Sequence, residues 1–282
     1  MLVVIKGAGD LASGIALRLR HARFDIAMTE VSRPTAVRRT VCFSQAVYEG
    51  SARVEDLTAV LVRDAGEARD CFVRGRIAVF VDPRGEIAGP LAPAVLVDAI
   101  MAKRNTGTRI TDAPVVIGVG PGFTAGLDCH AVIETKRGHT LGRVLTTGSA
   151  LPNTGVPGDI GGFTVERLLR SPAEGIFEAR ANIGDRLRPG DVAALVGGIP
   201  IRAEIEGVLR GLLPSGIPVS KGMKAGDIDP RCEVSHCFSV SDKALAVAGG
   251  VLEAILSLRD LLPPLLPDTS GRQFSQRRRK EN

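Results

Sequence analysis

The residues of this chain best suited to chemistry lie near its start, where Val3-Val4-Ile5 runs into Gly7-Ala8-Gly9-Asp10-Leu11-Ala12-Ser13-Gly14. An apolar strand that breaks into a glycine-rich turn and then opens a helix is suited to binding phosphate. Gly7 permits the tight turn, Gly9 lets the backbone approach a pyrophosphate, and Ala12 is small enough for the new helix to pack closely on the strand. The first N–H groups of that helix would face the phosphates, with the helix dipole behind them. Asp10 and Gly14 complete the fingerprint. A second strand, Asp25–Thr29, leads to Glu30. An acidic group there suits the two ribose hydroxyls of an adenosine and repels a 2′-phosphate, so NAD-like ligands are expected over NADP-like ones. Arg33, Arg38 and Arg39 follow closely and could accommodate a phosphate at the same place. The plainer alternative is a glycine turn that only packs helix on strand.

A second glycine-rich turn, Gly118-Val119-Gly120-Pro121-Gly122-Phe123-Thr124-Ala125-Gly126, also follows an apolar strand, Val115-Val116-Ile117. Successive N–H groups at Gly120, Gly122 and Gly126 could form an anion-binding nest, and a structural loop needing positive φ explains the same glycines equally well. Glu134, Lys136, Arg137 and His139 follow on one short turn. If both glycine turns sit on one sheet, they are expected to open onto a shared cleft, with the 134–139 segment as its opposite wall. The loop from Thr146 to Asp159 is rich in hydroxyls and backbone donors, a composition suited to binding. Cys232, His236 and Cys237 make an incomplete zinc set, so no metal is expected. No Gly-x-Ser-x-Gly elbow or His-Glu-x-x-His helix occurs, which leaves a hydrolase without a nucleophile or a metal.

The elements that must position these groups read as α/β. Ala59–Val62 and Ile77–Val81 are expected strands, Asp64–Phe72 a helix, and Pro93–Lys103 a further apolar-periodic helix. Residues 1–107 then form a Rossmann-like nucleotide-binding domain with a parallel sheet. Residues 108–240 are dense in glycine and β-branched residues and read as a β-rich domain. Within it, about 180–230 alternates short strands with Gly-Asp and Pro-Gly turns and resembles the barrel-sandwich of biotinyl and lipoyl domains. Gly197-Gly198-Ile199-Pro200 stands where such a domain would present its carrier lysine, so the segment reads as scaffold. Residues 241–262 are a C-terminal helix capped by Ser241 or Asp242, and 263–282 a disordered basic tail.

Composition narrows the function classes. With 282 residues and 44% hydrophobic content, the chain can bury a sizeable core. The formal charge of +5 sits mostly in the tail, where Arg272, Arg277, Arg278, Arg279 and Lys280 outnumber Asp268 and Glu281. With no Trp and one Tyr, the body lacks the aromatic platforms of a nucleic-acid binder. No stretch suits a signal peptide or a membrane span, and five cysteines form no even disulfide framework, so a cytoplasmic protein is expected.

Several longer blocks are more specific than the dinucleotide fingerprint: Gly7–Ala16, Thr29-Glu30 with Pro34–Val41, Gly120–Gly126, Val132–Val144, Gly226–Arg231 and Ser241–Ala244. Together they resemble the YqeB family of selenium-dependent molybdenum hydroxylase system proteins, over about residues 1–258. The resemblance implies an accessory role in maturing a molybdenum hydroxylase of the xanthine dehydrogenase type. The expected ligand carries a nucleotide, either NAD or the molybdopterin dinucleotide. Gly7, Gly9, Asp10, Ala12, Gly14 and Glu30 would hold one end, and Gly120, Gly122, Gly126, Lys136, Arg137 and His139 the other. Two rivals stand beside this reading: an NAD-dependent oxidoreductase with His139 or Lys136 as proton donor, and a non-catalytic scaffold that contacts the hydroxylase and has lost ligand binding. Expected partners are the hydroxylase and the small molecule, with homo-oligomers left open and neither nucleic acid nor membrane involved.

Overall fold

The computed structural model describes residues 1–262; the tail expected at 263–282 lies outside the described residues. In chain order the sheet-forming first part contains β1 (Leu2–Lys6), α1 (Asp10–His21), β2 (Asp25–Glu30), α2 (Ala46–Glu49), β3 (Ser51–Val54), β4 (Leu57–Leu61), α3 (Ala65–Val73), β5 (Ile77–Val81), α4 (Ala88–Leu91), β6 (Val95–Asp98), β7 (Val115–Val119), β8 (Ala131–Ile133) and β9 (Val144–Leu145). These strands make one nine-stranded sheet in the order β3-β4-β5-β2-β1-β6-β7-β8-β9. Every pairing from β4 to β8 is parallel, and only the edge pairs β3/β4 and β8/β9 are antiparallel. After β1 the chain builds outward through β2, and it later returns to add β6 on the other side of β1. That reversal opens a crevice beyond the carboxyl ends of β1 and β6, where open α/β sheets collect ligands.

Side-chain alternation along the central strands feeds cores on both faces of the sheet. Val3, Ile5, Ile26, Met28, Val95, Val97, Val115 and Ile117 face one way and pack with Ile15 and Leu19 of α1. Val4, Ala27, Ala78 and Phe80 face the other way, toward Ala68 and Cys71 of α3. Asp64 starts α3, its carboxylate accepting from Gly66 N–H (2.8 Å) and Glu67 N–H (3.0 Å), an N-cap that satisfies donors the helix cannot.

Two expectations change here. Pro93–Lys103 does not form a helix; its apolar centre is strand β6, every residue of which is buried. A central parallel strand is covered on both faces and loses the alternating pattern that marks a half-exposed one, so Val-Leu-Val there mimics a buried helix. The sheet also continues past residue 107, because β7, β8 and β9 extend it.

The following segment supplies β10 (Leu168–Arg170), β11 (Gly175–Ala179), β12 (Arg186–Leu187), β13 (Val192–Val196), β14 (Ile199–Arg202), β15 (Gly207–Leu212), β16 (Pro218–Val219) and β17 (Lys224–Asp229). They form two four-stranded antiparallel sheets, β10-β17-β15-β12 and β14-β13-β11-β16, around a shared core that includes Phe177, Leu209, Leu212 and Ile228. Gly197 and Gly198, with φ of +55° and +81°, close the β13–β14 hairpin, a turn that favours glycine at both central positions.

Helix α5 (Asp242–Ser257) then returns to the first core, where Val247, Val251 and Ile255 pack. It fills a gap in the layer, since the β6–β7 connection contains no helix. Close approach on both sides of α5 depends on glycine. A Cβ on Gly14 of α1 would lie 2.8 Å from Ala244 Cβ, and one on Gly250 would strike the carbonyl oxygen of Gly142. Among the described residues no helix is long and apolar enough to cross a membrane.

The neighbouring glycines of α5 give a direct test. Gly250→Ala should destabilise the protein by about 1–3 kcal/mol through overpacking. A Cβ on Gly249 meets nothing within 4 Å, so Gly249→Ala should stabilise by roughly 0.5–1 kcal/mol through helix propensity. Urea unfolding of both variants checks the packing; equal effects would contradict it.

Candidate functional site

At the carboxyl edge of the sheet, parallel register sets Lys6 at the end of β1 beside Thr29 of β2 and Asp98 of β6. Lys6 is buried; its Nζ donates to Thr108 Oγ1 (2.7 Å), and that hydroxyl donates to Asp98 Oδ2 (2.6 Å). This cluster ties the β6–β7 connection to the strand ends. Above it opens a cleft of about 620 Å³, lined by the residues that follow β1, β2, β5 and β6 and roofed by the half-barrel. Its size falls within the range of small-molecule sites.

The glycine-rich turn enters this cleft with its small residues performing separate tasks. Gly7 has φ of +94°, and a Cβ there would press on the backbone of Ala99 at 3.0 Å. Gly9 differs: its backbone is extended (φ −75°, ψ −168°), and nothing lies within 4 Å of where its Cβ would be. Gly9 is also the N-cap of α1 and offers no side-chain cap, so the first N–H groups of the helix receive none of the usual side-chain help. Ala12 and Gly14 are buried in packing.

Glu30, on the cleft wall, accepts from Ala8 N–H (3.0 Å) and Val31 N–H (2.8 Å). Burial raises its pKa and the two backbone bonds only partly offset that. The carboxylate thus ties the turn to the end of β2. Asp10 receives Arg38 Nη1 on both oxygens (3.2 and 3.1 Å). The buried Arg38 also donates through Nη2 to the carbonyls of His236 (2.9 Å) and Ser239 (3.1 Å), while its Nε has no partner.

The half-barrel contributes Arg210, Lys224 and Asp227 to the cleft. Asp227 takes Arg167 Nη1 on one oxygen (3.0 Å) and Arg210 Nε on the other (3.0 Å). Arg210 continues to Asp229, which Arg231 grips through Nε (2.9 Å) and Nη2 (2.6 Å). Burial pushes the Asp229 carboxyl up, but the hydrogen bonds from Arg231 and the charges of Arg210 and Arg231 outweigh it and hold the pKa down at about 2. The Arg33–Val41 stretch fastens this unit to the sheet. Leu212 N–H donates to Val37 O (2.7 Å) and Arg39 Nε to Leu212 O (2.7 Å). Gly211 permits the contact, because a Cβ there would sit 3.1 Å from the Val37 carbonyl.

Of the residues expected to bind, Gly7, Gly9, Asp10 and Glu30 line the cleft, whereas Gly120, Gly122, Gly126, Lys136, Arg137 and His139 do not. The second glycine turn packs instead. Gly118 makes room for the Phe123 ring, Gly120 for Thr135 and the cleft-lining Met101, and Gly122 for the backbone of Arg104. Gly126 has nothing within 4 Å of a Cβ position but lies outside the cleft. Arg137 pairs with Asp242 at the start of α5 (2.9 and 3.1 Å), and Lys136 and His139 are exposed on the same turn. Glu134 is buried and accepts from the backbone of Lys136 and Leu151. The opposite wall of the cleft is therefore the half-barrel. Charged residues inside apolar strands, Arg210 in Val-Leu-Arg-Gly-Leu and Asp227 and Asp229 in Gly-Asp-Ile-Asp, were the available signal for it.

These features define an α/β protein whose parallel sheet carries a glycine-turn cleft at its topological switch point, roofed by an antiparallel half-barrel. Within that class the chain is a homologue of the uncharacterized protein YqeB of Escherichia coli (strain K12), with 54% identity over 257 residues, 91% of this chain and 48% of that protein. The chain spans about half the length of the curated relative it matches. No protein-family model matches it. Among solved structures it is similar to an aspartoacylase family protein from Mesorhizobium loti (14% identity, 80% of this chain and 83% of that one, TM-score 0.26). It is likewise similar to a succinylglutamate desuccinylase/aspartoacylase from Rhodobacter sphaeroides (14% identity, 80% and 84%, TM-score 0.26). At these TM-scores neither likeness bears on fold or activity.

The depressed Asp229 pKa has a measurable consequence. A carboxyl whose folded pKa lies below its unfolded value adds stability above the unfolded pKa and loses it as pH falls toward the folded one. The stability gap between wild type and Asp229→Asn, on the order of 1–2 kcal/mol from this source at neutral pH, should narrow by roughly half between pH 6 and pH 3. Urea unfolding at the two pH values reads it. A constant gap would remove Asp229 from its place as the charged hub.

Proposed function

We propose that the cleft binds a nucleotide-bearing ligand, NAD or the molybdopterin dinucleotide, and that the protein is an accessory factor in equipping a molybdenum hydroxylase of the xanthine dehydrogenase type. The observation that carries the ligand reading is Gly9. Its conformation suits any residue and no protein atom crowds it, so its small size serves something outside the chain. A pyrophosphate at the uncapped start of α1 fits that description. The N-terminal unit reads accordingly as Rossmann-like, and the segment around 180–230 as a biotinyl- or lipoyl-like scaffold without a carrier lysine. Glu30 retains a role toward ribose, because each carboxylate oxygen that accepts one backbone N–H has a further lone pair to offer. The hydroxylase role rests on the resemblance of the sequence blocks to the YqeB family and on what the resemblance implies. The oxidoreductase rival loses support, since His139 and Lys136 stand away from the cleft.

Thermal-shift measurements with NAD, NADP, CTP, CDP and AMP test the ligand. A ligand at 100 times its Kd should stabilise by about 2.7 kcal/mol, a rise of roughly 5–10 °C. Cytidine nucleotides favour cofactor maturation and NAD favours a nicotinamide ligand. Gly9→Val should abolish the shift while changing the unliganded Tm by no more than a few degrees, the cost of a poorer N-cap. An undiminished shift in that variant would refute the phosphate reading of the turn. For the accessory role, deleting the gene should lower molybdenum hydroxylase activity without lowering the amount of hydroxylase polypeptide.

A further inference from the structure

The charges around the cleft do not close on themselves. Asp10 is occupied by Arg38, Asp227 by Arg167 and Arg210, and Asp229 by Arg210 and Arg231. Glu30 is held by two backbone N–H groups, and Asp82 by those of Gly85 and Ile87 (2.9 and 2.8 Å). The remaining cleft cation is Lys224, the first residue of β17. Among the described residues its ammonium has neither a salt-bridge nor a hydrogen-bond partner. Its side chain is open to the water of the cleft, yet the cleft walls surround it. That partial loss of solvent lowers its pKa, with Arg210 and Arg167 pushing the same way against Asp227 and Asp10. Gly9, Asp10 and Leu11 at the start of α1 line the same cleft as Lys224, so the ammonium and the helix N-terminus face one space.

We propose that Lys224 binds the phosphate charge of the ligand from the half-barrel side, so that a phosphorylated small molecule is clamped between this ammonium and the start of α1. The inference rests on the nucleotide reading above and adds the group that selects for phosphate. Two features favour this use of the residue. An ammonium without a protein partner, beside ion pairs already satisfied, is available to an external anion, and a lysine acts as a compact point charge toward phosphate. The half-barrel, fastened over the cleft by Val37, Arg39 and Leu212, holds the lysine in place before ligand arrives. The glycine turn would then recognise the geometry of a pyrophosphate through backbone N–H groups, while the lysine would recognise its charge.

Calorimetry with ADP, adenosine and inorganic pyrophosphate tests this on the full chain. Because Lys224 makes no contact that the fold uses, Lys224→Met should keep the wild-type Tm. It should lose about 10- to 100-fold in affinity for ADP, the usual worth of one hydrogen bond to a charged group, with a parallel loss for pyrophosphate. Adenosine, which lacks phosphate, should bind both proteins alike. Lys224→Arg should recover part of the ADP affinity. Lys221→Met, which removes an exposed lysine outside the cleft, should match wild type and so exclude a general effect of net charge. If wild type binds ADP and Lys224→Met binds it equally well, the lysine clamp is wrong while the nucleotide site stands. If wild type binds neither ADP nor pyrophosphate, the nucleotide reading falls and the clamp with it.

Discussion

The guanidinium of Arg38 sits where three parts of the molecule meet. One nitrogen neutralises Asp10 at the start of α1, and another holds the carbonyls of His236 and Ser239 just before α5. Its neighbours Val37 and Arg39 bond to Leu212 of the half-barrel. Burying a charge costs several kcal/mol unless its partners are well placed, and removing one partner of such a pair typically costs about 3–5 kcal/mol. The cost makes the arrangement specific: once Arg38 is buried, the half-barrel, the glycine turn and α5 have one mutual position that satisfies it. The cleft is the space that this position leaves between them.

A second consequence concerns the acidic groups near the turn. Two carboxylates, Asp10 and Glu30, stand close to a helix start suited to anions, and free negative charge there would oppose a phosphate. Each is compensated differently. Asp10 is paired with Arg38, while Glu30 is partly desolvated, which raises its pKa. Farther out, Asp227 and Asp229 alternate on one face of β17 and are met by Arg167, Arg210 and Arg231. The result is an electrostatic wall in which acids are saturated and Lys224 is not. A buried ionic network of this kind adds little net stability, since desolvation offsets most of the attraction. Its value lies in fixing which charges face the cleft.

The parts of this structure legible in the sequence were those decided by local spacing. Strands β1, β2 and β5 and helices α1, α3 and α5 follow from apolar and polar spacing and, for α5, from the cap at Ser241. Strand β6 was misread because burial on both faces erases the period that distinguishes strand from helix. The second glycine turn misled for a related reason. Glycine is selected wherever backbone must approach something closely, and sequence does not say whether that is a phosphate or, as at Gly122, the chain's own Arg104. Lys136, Arg137 and His139 formed a cluster in sequence, but the partner that engages Arg137 is Asp242, far along the chain. The opposite wall of the cleft was hidden altogether, since Lys224 and the start of α1 come to line one cleft only after the half-barrel docks.

The glycines therefore carry the discrimination once their surroundings are known. Gly7 is required by its positive φ and by Ala99, Gly14 by Ala244, Gly211 by Val37, and Gly250 by Gly142. Each is explained by the chain itself and needs no ligand. Gly9 has ordinary dihedrals, empty space in front, and a helix start behind it without a side-chain cap. A serine, threonine, asparagine or aspartate at that N-cap would typically stabilise the helix better or equally well. What those side chains would do is occupy the mouth of the cleft and take the N–H groups for themselves. A glycine at this position leaves the donors of α1 available, and their natural complement is an anion arriving from outside, opposite a lysine that lacks one.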